Sequence, residues 1–123
     1  MIREKIVEKI FAIEVLQDLT TLQEACISKP GLFVVEPVET LVHYFKAIRG
    51  ILIDPPPKNP PYPIYTLRTA VLEALSYRET IPNYAKEALH SCDFFDVYSR
   101  LYTVLEEVHS LLEENSDQHN GYL

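Results

Sequence analysis

Apolar residues recur at helical spacing along most of the chain. At 100° per residue Ile2, Ile6, Ile10 and Ile13 share one face, while Val15, Leu19, Leu22 and Cys26 share another about half a turn away. A straight helix over residues 2–28 would need cover on two sides. The pattern points instead to a bend or break near Gln17 to Thr21, where Asp18 can cap a new start and Thr21 with Glu24 can form a capping box. Lys29-Pro30-Gly31 ends this unit. Leu32 to Val35 reads as an extended connector under the bundle, because no other segment offers a strand to pair with it.

Pro37 suits the first turn of a second helix over about 37–52, with Glu36 and Glu39 at the positive end of its dipole and Val38, Leu41, Val42, Phe45, Ile48 and Leu52 on one apolar face. A third helix spans about 65–79 with Ile64, Leu67, Val71, Leu72 and Leu75 inward. Thr80-Ile81-Pro82 then breaks the chain, and Pro82 starts a short helix to about His90 carrying Tyr84, Ala85, Ala88 and Leu89. The last helix, about 93–114, can be capped by Ser91 or Asp93. Its apolar residues from Phe94 to Leu112 fill an arc of roughly 200°. That much apolar surface requires either a central place in the bundle or a dimer seam.

Between the second and third helices, six of the nine prolines fall within Pro55 to Pro63. Proline fixes φ and gives up its N–H, so the linker 54–63 should lie extended as polyproline II. Ten such residues reach about 31 Å, more than the length of either flanking helix, which allows a stiff crossover strap. The segment also holds a Pro57-Lys-Asn-Pro60 match to PxxP, with Tyr62 between prolines, which makes it a candidate ligand arm for an aromatic groove. The fold class that follows is all-α. A helical bundle of four main helices plus a short helix, with a proline-rich extended crossover, forms a single domain over 1–114, and a flexible tail follows over 115–123.

Charge changes the picture of partners. The net charge is −7, of which residues 1–90 account for −1 and residues 91–123 for −6, because Arg100 alone faces seven carboxylates there. An acidic last helix repels phosphate backbones and favours a protein partner with a basic face, so nucleic acid is disfavoured. No apolar run is long enough for a bilayer and the first residues lack a signal-peptide core, so a cytoplasmic location is expected, without membrane contact. Two separated cysteines, Cys26 and Cys92, are too few for a disulfide framework or zinc knuckle and read as small apolar residues.

Candidate chemistry is sparse. Glu87-Ala-Leu-His90 and Glu106-Glu-Val-His109 have the Glu-x-x-His spacing that di-iron bundles use twice, but such a site also needs inward glutamates from two further helices, and Glu14 is the only evident one. Glu39 and His43, four residues apart, lie with Lys46 on a polar face. Arg49 and Arg68 fall inside apolar arcs and must snorkel, pair with a carboxylate or meet an anion. Phe94, Tyr98 and Tyr102 form an aromatic ridge at spacing four, suited to a core or a dimer seam and able also to stack a planar ligand or base. Glycines occur only at positions 31, 50 and 121, too few for a phosphate-cradling loop.

The residues therefore favour a non-catalytic helical interaction protein, a small regulatory, adaptor or assembly-chaperone subunit. No catalytic, metal or cofactor residues are assigned. Pro57, Pro60, Tyr62, Phe94, Tyr98 and Tyr102 are the candidate partner-binding residues, Arg49 and Arg68 the candidate anion-binding pair, and a homodimer or other homo-oligomer is expected. The competing class is a small helical enzyme or ligand-binding protein using helix-borne Glu and His for a metal, or Arg for an anion.

Overall fold

The computed structural model describes residues 2–28, 35–53 and 67–114. Every regular element among them is helical: α1 (Ile2–Ile10), α2 (Ile13–Ser28), α3 (Val35–Ile53), α4 (Leu67–Thr80), α5 (Asn83–Ser91) and α6 (Phe95–Glu114). No strand occurs among the described residues, and no helix there is long and apolar enough to cross a membrane. The connector at 32–34, the proline linker 54–63 and the tail 115–123 lie outside them.

The two faces of the first segment do belong to two helices, but the break falls at Phe11–Ala12, earlier than the expected Gln17 to Thr21. Phe11 N–H closes the last turn of α1 on the Val7 carbonyl (2.9 Å), and the Ala12 carbonyl accepts from Val15 (3.0 Å) and Leu16 (3.1 Å) to open α2. Breaking there lets Ile6 and Ile10 enter the core from α1 and Val15, Leu19 and Leu22 enter it from α2. Ile13, assigned by periodicity to the α1 face, stands 68% exposed just past the corner. Asp18 does not cap a helix. From inside α2 its carboxylate accepts two hydrogen bonds from Arg100 of α6, at 3.0 and 3.2 Å.

α3 starts two residues before the expected position and buries all six predicted apolar residues. Near its other end the Leu52 carbonyl, left without an intrahelical donor, accepts from the Arg3 guanidinium and so ties α1 to α3. α4 is rotated relative to the expectation. Its buried residues are Leu67, Ala70, Val71 and Ala74, whereas Leu72 is 40% exposed. Two alanines in that face let α4 approach both α3 and α6 closely, a packing advantage that a hydrophobicity count does not see.

α6 takes the central place of the two weighed for it. It packs against α1, α2, α4 and α5, burying Tyr98, Leu101, Tyr102, Leu105, Val108 and Leu112. Each large apolar side chain so buried contributes about 1.5–3 kcal/mol relative to exposure. Val97, Val104 and Leu111 of the same apolar arc are only partly buried against this core.

The acidity of α6 meets bases from α1 and α4. Lys9 of α1 reaches Glu107 (2.6 Å), Arg68 of α4 reaches Glu113 (2.5 Å) and Arg78 of α4 approaches Glu106 (3.6 Å). Pairs this exposed contribute little each to stability.

Candidate functional site

Two concave regions flank the corner between α4 and α5. Pro82 makes that corner: its backbone is extended (φ −61°, ψ 154°), and its carbonyl accepts from Ala85 and Lys86, both at 3.0 Å, to start α5. Proline suits the position because it needs no N–H there and its φ is already set.

On one side lies a groove of about 620 Å³ between the first turns of α3 and the corner. Glu36, Pro37 and Glu39 form one wall; Tyr77 and Thr80 at the end of α4, and Tyr84 and Ala85 at the start of α5, form the other. Tyr84 is 60% exposed, a correction to its expected inward place. Tyr77 is half-buried and lies close enough to Tyr44 to raise its phenol pKa, after burial and the Glu73 carboxylate. No Lys or Arg among the described residues lines the groove, and neither Glu36 nor Glu39 has an ion-pair partner among them. The positive end of the α3 dipole favours the two carboxylates at this place.

Glu39 also borders a neighbouring groove of about 510 Å³ lined by Gln23, Cys26, Ile27, Val42, His43 and Lys46. The Cys26 thiol is pushed above its ordinary pKa, first by burial and then by the Glu39 carboxylate, so it is not a poised nucleophile.

On the other side of the corner is a cleft of about 390 Å³ among α4, α5 and α6. The Arg78 guanidinium lies over the Tyr102 ring, 4.9 Å from its centroid. His90 stacks on Phe95 at 4.3 Å, and Tyr98 meets Tyr102 edge to face at 5.1 Å. Tyr98 and Tyr102 are 4% and 2% exposed, and neither hydroxyl has a hydrogen-bond partner of ordinary geometry. Burial pushes the Tyr98 phenol up to about 12 and raises Tyr102 further, so both stay protonated in the physiological range.

The residues singled out from sequence disperse. Phe94, Tyr98 and Tyr102 are core residues; the two tyrosines also line the cleft. Arg49 places its guanidinium 5.4 Å from the centroid of the Phe11 ring, with its Nε buried and unpartnered, whereas Arg68 pairs with Glu113. The two arginines thus have separate neighbours. Glu113 is held below the ordinary carboxylate range by its hydrogen bond from Arg68, and His109 lies 3.3 Å from it.

His90 and His109, the ends of the two Glu-x-x-His pairs, go to Phe95 and Glu113, and Glu14 is exposed rather than inward. Among the described residues no three His, Cys, Asp or Glu side chains gather at metal-binding distance. Pro57, Pro60 and Tyr62 lie outside the described residues.

Sequence reasoning missed Arg78 altogether and took Glu36 and Glu39 only as partners of a helix dipole. The one signal for the groove was Pro82, since a corner there brings two tyrosines, seven residues apart, onto a single rim. No protein-family model matches the chain, and no curated protein or solved structure is significantly similar to it.

Proposed function

We propose that this protein works by binding rather than by catalysis, as a small helical regulatory, adaptor or assembly subunit, and that the Glu36–Glu39–Tyr77–Tyr84 groove holds a basic segment of a partner protein. The observation that carries the reading is a contrast in charge pairing. Glu107 and Glu113 of α6 pair with Lys9 and Arg68 at 2.6 and 2.5 Å, whereas Glu36 and Glu39 meet no base among the described residues. Two carboxylates beside two tyrosine rings suit a lysine or arginine: the ammonium or guanidinium pairs with the acids, and its aliphatic stem or its charge rests on the rings. The net charge of −7 steers such a partner toward the molecule before contact. Self-association has less support, because the most apolar residues of α6 already pack within the chain.

Carbodiimide coupling, which joins a carboxylate directly to a lysine amine it touches, tests the reading. Applied to the protein in a lysate of its host, followed by peptide mapping, it should link Glu36 or Glu39 to a lysine of one defined partner, and Glu36→Gln/Glu39→Gln should abolish that product. Cross-links distributed over all exposed carboxylates, or a single product that survives the double substitution, would remove the basis of the proposal.

A further inference from the structure

The cleft on the opposite side of the α4–α5 corner has an independent character: it is rich in unmade donors. Arg78, with its side chain 35% exposed, approaches Glu106 at 3.6 Å and Glu79 at 3.9 Å, so among the described residues a guanidinium with five N–H groups meets only long charge contacts and the Tyr102 ring. Lys86 lines the same cleft without an ion-pair partner among the described residues. The Tyr98 and Tyr102 hydroxyls are buried beside each other and make no hydrogen bond of ordinary geometry among the described residues. Buried hydroxyls are ordinarily hydrogen-bonded in good geometry, and two adjacent ones in this wall that are not leave donor capacity for a ligand. Ile81, Leu89 and Phe95 give the cleft its apolar lining, and Glu79, Glu106, His90, Ser99 and Thr103 complete it.

We infer that this cleft is a binding site for a small organic oxyanion, a molecule with a carboxylate or phosphate head on a compact aromatic or branched apolar body. The head takes the Arg78 fork, with Lys86 adding charge, and the body packs on Phe95, Leu89 and Ile81. Glu79 and Glu106 do not hold Arg78 against it. Their side chains are 76% and 54% exposed, and an anion at hydrogen-bond distance outcompetes carboxylates standing 3.6 to 3.9 Å away. Drawing Arg78 off the Tyr102 ring uncovers the tyrosine pair, whose protonated hydroxyls then donate to the ligand or to a water it carries. The volume, about 390 Å³, lies at the small end of the range for ligand pockets, which limits the body to roughly one ring.

The test is an NMR titration of the ¹⁵N-labelled protein with four probes: benzoate, phenyl phosphate, inorganic phosphate and the neutral benzyl alcohol. The proposal expects saturable shifts at Arg78, Lys86, Phe95, Tyr98 and Tyr102 with benzoate or phenyl phosphate. Benzyl alcohol and inorganic phosphate should each bind about tenfold or more weaker, since each lacks one half of the recognised group. Which of the two ring-bearing anions binds tighter distinguishes a carboxylate from a phosphate ligand. Arg78→Leu should weaken the better probe about tenfold with thermal unfolding preserved; if that variant does not fold, Lys86→Ala, at a more peripheral position, should weaken it by a smaller factor. No saturable shift with either anion, equal binding of benzyl alcohol, or an affinity unchanged in the folded Arg78 or Lys86 variant would overturn the inference.

Discussion

The flank of α6 and the mouth of the groove at α3 carry the same kind of residue in opposite circumstances. On α6, carboxylates at positions 106, 107 and 113 stand opposite Arg78, Lys9 and Arg68, which the fold brings from α4, α1 and α4. At the groove, Glu36 and Glu39 stand opposite Tyr77 and Tyr84. Sequence alone ranks these regions the other way, since the last third of the chain holds most of the net negative charge. Charge density along a chain is therefore a poor guide to where charge remains available. What decides it is which helices the core brings alongside, and here the core brings bases to α6 and aromatic rings to α3.

Experiments can press on this contrast, beginning with the largest effect. Leu105→Ala, at a position with no exposure in the middle of α6, should cost about 2–5 kcal/mol of unfolding free energy in a urea titration. It should leave binding at the groove unchanged wherever the variant is folded. A loss well under 1 kcal/mol would mean that α6 is not the centre of the core. Charge reversal at the groove, Glu36→Lys/Glu39→Lys, should do the converse: partner affinity falls by about a hundredfold, while stability falls only by the lost dipole interaction, about 0.5–2 kcal/mol. Should the same reversal at Glu107 and Glu114 reduce affinity equally, binding responds to net charge and not to the groove.

The tyrosine wall gives a third test through pH. Tyr98 is raised to about 12 and Tyr102 further, both above the ordinary phenol value near 10, so the folded state keeps protons that the unfolded chain loses. Stability is complete below pH 10 and declines as pH rises through the window between the ordinary value and about 12, by up to about 1.4 kcal/mol per pH unit for each proton retained. Tyr98→Phe/Tyr102→Phe should flatten that decline and, since it removes both buried hydroxyls, which make no hydrogen bond of ordinary geometry, should cost little at pH 7. An alkaline profile that is identical in wild type and double variant would contradict the burial. The smallest effect belongs to the exposed pairs: Lys9→Ala, which breaks the contact with Glu107, should cost about 0.2–1 kcal/mol, and salt should erase most of it.

Much of the fold was legible in the sequence because it rests on periodicity. The six apolar residues of α3, the corner at Pro82, the wide face of α6 and the presence of two helices in the first segment all follow from spacing and from where proline is tolerated. The misplacements share a different cause. The break at Phe11–Ala12 carries no cap residue, and it is fixed by Phe11 under Arg49 and by the need to admit both Ile10 and Val15. α4 faces inward with Ala70 and Ala74 because close approach to two neighbours outweighs hydrophobicity, which left Leu72 half outside. Tyr84 could not be oriented from a helix of nine residues.

The candidate sites were less legible still. Each depends on residues that are unremarkable in their own helices, Glu36 and Glu39 on α3, Tyr77 and Arg78 on α4, and become a groove or a cleft only when three helices meet.

The most direct measurement of the central claim is a ¹⁵N NMR titration with two short peptides of identical apolar residues, one carrying lysine and arginine and the other glutamate in their place. The basic peptide should give saturable shifts confined to Glu36, Glu39, Tyr77, Tyr84 and Ala85, weakened by salt and absent in Glu36→Gln/Glu39→Gln, and the acidic peptide none. Shifts centred on the carboxylates of α6, or equal responses to both peptides, would contradict it.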